Sequence, residues 1–240
     1  MDTRAWGPSG WQLLHLIAHQ PEQPKEAESF MMTMKDILPC KFCRESTAVF
    51  LHEDPPKQPL SKWLYDFHNR VNKKLRDQCK DDPRVICPPA DPTFESVSGH
   101  YEALLQKPPN APPGMDFLFC IAYNYTPTPE KEGIYRHFFD LLSDVYPYDN
   151  LRAIMKAHTF SFSFSFTSKR ALMKSVYTLM KKMTKATQSE AILPSFVGVF
   201  QRYGYYASTC NRGKTCRNGK RTKKRDHRKT HRVTHARLLR

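Results

Sequence analysis

The chain lacks long hydrophobic runs and contains little glycine. Its 240 residues include no stretch of 18 apolar residues, so we expect no membrane-spanning helix. The N-terminus has no basic segment followed by a small-residue cleavage site, so we predict no conventional secretory signal. Only nine glycines are present and no pair of alternating segments occurs, which favours helices over strands. A hydrophobic fraction of 40% excludes a wholly disordered chain.

Acidic residues are nearly missing from the C-terminal end. The net charge is +15, and residues 211–240 hold 13 lysines and arginines against one acid, Asp226. We therefore predict a near-neutral folded part followed by a basic tail, residues 208–240. This tail would bind polyanions through their phosphates or serve as a nuclear-import signal. The alternative is a solvated extension without a specific partner.

Helical periodicity dominates the rest of the chain and predicts an all-α fold. Two helical units are expected, residues 1–106 and 115–207, joined by the proline-rich linker 107–114. Within the first unit, Ser9 is expected to cap the first helix. Residues 25–38 are expected to form the second helix. The longest helix is predicted over residues 60–78, with an apolar stripe of Trp63, Leu64, Phe67, Val71 and Leu75. The alternating segment 160–166 (FSFSFSF) is the strand-like exception.

Seven cysteines are present, which is an odd number. Without a secretory signal the expected compartment is reducing, where close cysteine pairs bind metals or carry redox chemistry. Cys120 lies in an apolar run and is expected to be a buried, inert thiol. The other six are Cys40, Cys43, Cys79, Cys87, Cys210 and Cys216.

The pair Cys40-Lys41-Phe42-Cys43 follows a helix-ending proline and opens a new helix. Two cysteines at this spacing can close a small disulfide ring, and a helix N-terminus stabilises a thiolate. That arrangement suits a dithiol that exchanges with a substrate. The alternative is half of a zinc site, completed by Cys79 and Cys87 or by His68.

Aromatic and amide side chains flank this pair on two helices. Trp11 and His15 lie one turn apart on the first helix, and His68, Asn69 and Asn72 lie together on the long helix. Packed side by side, they would offer stacking surfaces and hydrogen-bonding groups for a planar ring cofactor. A flavin site needs these side chains and a zinc site does not.

Three motifs in this order resemble the Erv/ALR family of FAD-linked sulfhydryl oxidases, in the form carried by large DNA viruses. They are residues 6–15 (WGPSGWQLLH), the CKFC of residues 40–43, and residues 63–75 with their HNRVN core. The resemblance covers about residues 5–105. The C-terminal half resembles no family that we recognise.

The resemblance implies FAD held non-covalently in a four-helix bundle with a short fifth helix. Cys43 would be the sulfur next to the flavin, and Cys40 the more exposed sulfur that substrate thiolates attack. Electrons would pass from a protein dithiol through this pair and FAD to O₂, giving H₂O₂, in a homodimer. The implied cofactor-binding residues are Gly7, Trp11, His15, Cys43, His68, Asn69, Val71, Asn72 and Lys74.

The sequence departs from the family pattern at two places. Pro8 stands where many cellular members carry an arginine, so no arginine contact is expected there. Those members also have a structural C-x16-C disulfide, whereas Cys79 and Cys87 are separated by seven residues. This pair would be a structural disulfide, two free thiols or a second exchange site.

The last two cysteines lie at the edge of the basic tail. Cys210 and Cys216, with His227, His231 and His235, faintly resemble a zinc finger, but the segment has almost no apolar residues. A shuttle disulfide that visits Cys40 is a second hypothesis, and two exposed thiols are the third.

These observations predict an FAD-dependent thiol oxidase without a metal, with an oxidase domain over residues 1–106. Protein dithiols and O₂ would be its substrates, and it would contact no membrane. It would act in a host cytoplasm or virion, where host machinery does not form disulfides. The alternative is a zinc-stabilised helical protein that binds nucleic acid or builds a virion.

Overall fold

The computed structural model describes residues 2–20, 24–81, 87–161, 164–187 and 192–210. Within these ranges the chain folds into eleven α-helices and forms no strand, which confirms the predicted all-α fold. The side chain of Cys210 and all of residues 211–240 lie outside the described part, as do the predictions made for them. The helices are α1 Thr3–Ala18, α2 Pro24–Met32, α3 Met34–Ile37, α4 Lys41–Glu53, α5 Leu60–Asp81, α6 Phe94–Leu105, α7 Met115–Asn124, α8 Pro129–Val145, α9 Asp149–Phe160, α10 Lys169–Ala186 and α11 Phe196–Cys210.

The first helix starts seven residues earlier than the sequence predicted. Asp2 is the N-cap, and its carboxylate accepts a hydrogen bond of 3.0 Å from the Arg4 backbone N–H. Ser9 therefore lies inside α1 and does not cap it, and the helix runs through Pro8. Burial of Trp6, which is 8% exposed, explains the difference, because packing of this early turn outweighs the local proline signal.

The helix predicted over residues 25–38 is interrupted at Thr33. The Thr33 hydroxyl donates to the Phe30 carbonyl oxygen at 2.7 Å, and the chain restarts as the short α3. Local hydrogen bonding of this kind competes with a continuous helix. The break brings α3 against α4, with the CxxC pair at their junction.

The long helix α5 buries its apolar stripe over its first turns alone. Of its 22 residues, Leu60, Trp63 and Leu64 are buried. Phe67 continues the same stripe and stays partly exposed, as do the apolar side chains one and two turns beyond it. The C-terminal part of the stripe is therefore only partly covered by the rest of the described chain.

The two halves of the chain share one hydrophobic core, which extends from Trp6 to Tyr203. Helix α7 lies at its centre, buried from residue 117 to 122, and packs on α1 and α10, while α8 packs on α2 and α3. Residues 107–114 contain no helix. The division into domains at this segment stays a prediction, and the structure adds that the halves are packed together.

The alternating serine–phenylalanine segment forms no strand in its described residues, 164–166. Phe164 and Phe166 are buried, and Ser165 between them is partly exposed. The alternation therefore serves to send two rings into the core from an unpaired stretch. Among the described residues, no helix combines the length and the apolar character needed to cross a membrane.

Candidate active site

An apolar pocket of about 910 Å³, measured to its open mouth, lies where α1, α3, α4, α5 and α7 meet. Cys43, at the third position of α4, lines it, which places one sulfur of the CxxC pair at the pocket wall. Five of the nine implied cofactor-binding residues line this pocket: Gly7, Trp11, Cys43, Val71 and Lys74.

The expectation that Cys40 is the more exposed of the two sulfurs is wrong. Cys40 is 2% exposed and belongs to the hydrophobic core, whereas Cys43 is partly exposed. Cys40 is the N-cap residue of α4, and its carbonyl oxygen accepts the Arg44 backbone N–H at 3.0 Å. The Arg44 side chain also donates to the Leu38 carbonyl oxygen at 2.5 Å. Packing of the α3–α4 junction therefore encloses Cys40.

A second pocket, of about 720 Å³, lies on the other side of α5 and is richer in polar groups. It is bordered by α1, α5, α6 and the segment that precedes α6. The remaining four implied cofactor-binding residues line it: His15, His68, Asn69 and Asn72. The structure thus divides the nine implied residues between two pockets on opposite sides of one helix.

Two stacked aromatic pairs stand between and beside these pockets. Trp11 lies against His68 with ring centroids 3.8 Å apart and planes 10° apart. His15 lies against Tyr101 of α6 with centroids 4.7 Å apart and planes 9° apart. Flat surfaces from three helices are therefore gathered at one place, as a planar ring requires.

The two histidines form a buried neutral pair. Burial lowers the pKa of His15 to about 3, with a smaller contribution from the neighbouring His68, and lowers the pKa of His68 to about 4. His15 Nε2 and His68 Nδ1 lie 3.2 Å apart, so one ring donates a hydrogen bond to the other. Both side chains are uncharged at pH 7 and leave this region without a cation.

A carboxylate holds the long helix to the segment before α6. Asp91 accepts hydrogen bonds from Asn72 at 2.9 Å and from Arg76 at 2.5 and 2.9 Å. The Arg76 hydrogen bond, followed by that of Asn72, keeps the pKa of Asp91 below its usual value. A disulfide joins Cys79 and Cys87, whose Cα atoms are 5.5 Å apart. These links fix the direction of the Asn72 amide.

Lys74 brings positive charge to the rim of the apolar pocket. Its ammonium donates to the Ser46 hydroxyl across α4 and α5. Arg70, on the neighbouring surface, pairs with Glu53 and lies 4.0 Å from the centre of the Phe50 ring. Lys74 is therefore placed to meet an anionic group at the pocket mouth.

Three observations indicate that the pockets suit a ring-bearing cofactor with polar substituents. A Cβ atom added at Gly7 would meet nothing within 4 Å, so the helix leaves open space there. Among the described residues, Trp6 Nε1 and His15 Nδ1 are buried and have no hydrogen-bond partner. Buried polar atoms of this kind normally have partners. The partly exposed continuation of the α5 stripe also lies in the apolar pocket.

The sequence did not single out several apolar side chains of the pocket. Phe67 and Leu75 carry a detectable signal, because they share the α5 stripe with Val71. Phe117 carries none, since it lies in the other half of the chain. The remaining unpredicted aromatic residues of the pocket are Trp6, Phe42 and Phe50.

The zinc alternative is not favoured. Cys79 and Cys87 are bonded to each other and do not approach the CxxC pair as ligands. Across the described residues, no group of three or more histidine, cysteine or acidic side chains is arranged to hold a metal. Burial raises the pKa of the Cys120 thiol, as expected for an inert core cysteine.

A CxxC pair at a helix N-terminus beside an apolar pocket with stacked aromatic rings is the arrangement expected of a helical dithiol redox site. Residues 8–86 match the model of the Erv1/Alr family.

Two relatives have sequences similar to this segment. The mitochondrial FAD-linked sulfhydryl oxidase ERV1 of Saccharomyces cerevisiae is 34% identical over 85 residues, 31% of this chain and 45% of the relative. The FAD-linked sulfhydryl oxidase ERV1 of Oryza sativa subsp. japonica is 34% identical over 79 residues, 29% of this chain and 41% of the relative. The chain thus spans less than half the length of each relative. No solved structure matches it.

Proposed function

We propose that this chain is an FAD-linked thiol oxidase that forms disulfides in proteins. One observation carries the proposal: the α5 stripe of Phe67, Val71 and Leu75 continues, only partly buried, into the pocket that Cys43 lines. Apolar side chains left open beside a redox-active sulfur suit a flat cofactor in direct reach of that sulfur. The names of the two relatives support FAD as this cofactor.

The nine implied residues would hold the cofactor without a covalent bond. The apolar pocket suits the ring system, with Trp11 and Val71 as contact surfaces. The neutral His15–His68 pair and the Asn72 amide supply hydrogen-bonding groups for polar substituents. Lys74 supplies positive charge for a phosphate.

The reaction couples the oxidation of a protein dithiol to the reduction of O₂. The substrate dithiol becomes a disulfide while the Cys40–Cys43 disulfide is reduced to two thiols. When bound, FAD accepts two electrons from this dithiol and transfers them to O₂. The sum is 2 R–SH + O₂ → R–S–S–R + H₂O₂. Because Cys40 is buried, substrate attack on its sulfur requires the α3–α4 junction to open.

A visible absorbance spectrum of the purified protein tests the proposal. We expect flavin bands near ~370 and ~450 nm, and oxygen consumption with H₂O₂ formation when dithiothreitol is added. Cys43→Ser should abolish turnover. A colourless protein that releases zinc on thiol modification would overturn the proposal and restore the zinc-stabilised alternative.

The proposal includes a homodimer and a viral setting. Helices α7 and α8 cover faces of α1, α2 and α3 within one chain, so a homodimer would form through other surfaces. Sedimentation equilibrium distinguishes the mass of one chain from that of two. We also propose that the enzyme acts in a host cytoplasm or virion, with nuclear import or polyanion binding by the tail beyond residue 210.

A further inference from the structure

Phe117 lines the apolar pocket but belongs to the second half of the chain. It follows the segment 107–114 and lies outside residues 8–86, which match the family model. Its ring is 0% exposed and belongs to the hydrophobic core, at the part of the pocket wall that α7 supplies. Its ring centroid lies 5.8 Å from that of Trp6, which also lines the pocket.

The start of α7 is held in one register against α1. Gly114, the N-cap residue, has a φ of +77°, and a Cβ atom there would lie 2.5 Å from Leu13 Cδ2. The Phe117 backbone N–H donates to the Ser9 hydroxyl at 3.4 Å. Glycine is therefore required by both conformation and space at the point where the helix begins.

Two further hydrogen bonds fix the same end of α7. The Tyr203 hydroxyl of α11 donates to the Asp116 carboxylate at 2.5 Å. The Tyr146 hydroxyl donates to the Pro113 carbonyl oxygen at 2.6 Å, and both groups are buried. The position of Phe117 is thus determined by helices α1 and α11 and by the residue that follows α8.

Helix α1 makes room for the Phe117 ring because residue 10 is a glycine and has no side chain. A Cβ atom at Gly10 would lie 3.2 Å from Phe117 Cδ2 and 3.3 Å from Cγ, closer than ordinary contact. Gly10 is buried inside α1, where glycine is less favourable than alanine. The close approach of the ring explains why glycine stands there.

We propose that Phe117 is a cofactor-binding residue, by which the C-terminal helical segment completes the flavin pocket of the N-terminal one. This inference rests on the proposed function. It assigns residues 115–207 a role at the site itself, in contact with the cofactor through one aromatic ring.

Two leucine substitutions on the same helix test the inference. Phe117→Leu removes the ring that lines the pocket. Phe119→Leu is the matched control, because Phe119 is 1% exposed and packs on Tyr203 with centroids 5.1 Å apart, away from the pocket lining. Both should lower the melting temperature similarly. Titration of the flavin-free proteins with FAD should show a Kd raised about three- to tenfold for Phe117→Leu alone.

The spectrum of the bound flavin gives a second readout. We expect shifted visible bands in Phe117→Leu and unchanged bands in Phe119→Leu. Equal FAD affinities and equal spectra in the two variants would overturn the inference while the proposed function stands. If the unsubstituted protein itself binds no FAD in this titration, the proposed function fails instead.

A glycine substitution keeps the inference testable if Phe117→Leu does not fold. Gly10→Ala favours the helix but pushes the Phe117 ring by a few tenths of an ångström, so FAD affinity should fall. Gly133→Ala, on α8 with nothing within 4 Å of the new Cβ atom, is the control and should leave affinity unchanged. Unchanged affinity and spectrum in Gly10→Ala would also overturn the inference.

Discussion

Trp11 of α1 lies flat against His68 of α5, with ring centroids 3.8 Å apart and planes 10° apart. The indole lines the apolar pocket and the imidazole lines the polar one. The stacked pair, together with α5, therefore separates the two pockets. A cofactor with a flat apolar part and a polar part would use both sides of this pair, which unites the nine implied residues in one site.

The buried histidine pair predicts a stability that depends on pH. Burial lowers the pKa of His15 to about 3 and that of His68 to about 4, whereas in the unfolded chain each returns to about 6.5. The unfolded state therefore binds more protons below that pH. The stability is fully present above about pH 6.5 and falls as the pH decreases towards the folded pKa values. The slope approaches about 1.4 kcal/mol per pH unit for each histidine.

Urea unfolding of the flavin-free protein between about pH 4 and pH 7 measures this slope. His15→Asn should reduce it by up to about 1.4 kcal/mol per pH unit. His137→Asn is the control, because His137 is exposed on α8 and lines neither pocket. A slope in His15→Asn equal to that of the unsubstituted protein would contradict the prediction.

Substitution of Gly7 by alanine is predicted to affect cofactor binding and helix stability differently. Gly7 lies inside α1 and lines the apolar pocket, and a Cβ atom there would meet nothing within 4 Å. Gly7→Ala should change the stability of the flavin-free protein little, because the preference of a helix interior for alanine is opposed by the clash between the new Cβ atom and the Cδ atom of Pro8. The same methyl group would enter the space assigned to FAD, so the Kd for FAD should rise about tenfold.

Gly133→Ala supplies the comparison for this prediction. Gly133 is also inside a helix with open space around its Cα, but it is exposed on α8. Gly133→Ala should stabilise the protein by about 0.5–1 kcal/mol, because alanine favours a helix interior and no proline follows, and should leave FAD affinity unchanged. If both alanine variants bind FAD as tightly as the unsubstituted protein, Gly7 does not border the cofactor.

Local sequence signals predicted much of this architecture. The apolar stripe of α5 was visible at helical spacing, and its turns carry His68 and Val71 to opposite pockets. The helix predicted over residues 60–78 corresponds to α5, and that over residues 25–38 corresponds to α2 and α3 together, although α1 starts well before Ser9. These features depend on neighbours within one or two turns, which periodicity and capping patterns report.

Features that depend on distant packing were not predictable in the same way. Cys40 is buried because α3 packs on α4, and no local pattern gives that contact. Phe117 reaches the pocket because residues from α1 and α11 fix the start of α7. The sequence also placed Ser9 at a helix cap, whereas its hydroxyl accepts a hydrogen bond from another helix.

Substitution of Cys43 by serine is predicted to remove turnover while FAD stays bound. Cys43→Ser keeps the size of the side chain that lines the apolar pocket but removes its redox chemistry. Thiol oxidation followed by oxygen consumption should fall about 10³-fold or more, while FAD absorbance remains. Cys120→Ala, in the core and outside the pocket lining, should retain turnover. Full turnover in Cys43→Ser would remove this sulfur from the electron path.

The Cys79–Cys87 disulfide predicts a loss of stability without a loss of turnover. It closes a loop with a sequence separation of 8, and a cross-link over a loop of that length contributes about 2–3 kcal/mol in the chain-entropy account. Cys79→Ser should lower the free energy of unfolding by that amount. The double variant with Cys87→Ser should lose no more, because either substitution removes the same cross-link.

Oxygen consumption with a reduced protein substrate separates the two remaining roles of the pair. Unchanged turnover in the double variant identifies a structural cross-link, whereas turnover lost on the protein substrate and kept on dithiothreitol identifies a second exchange site.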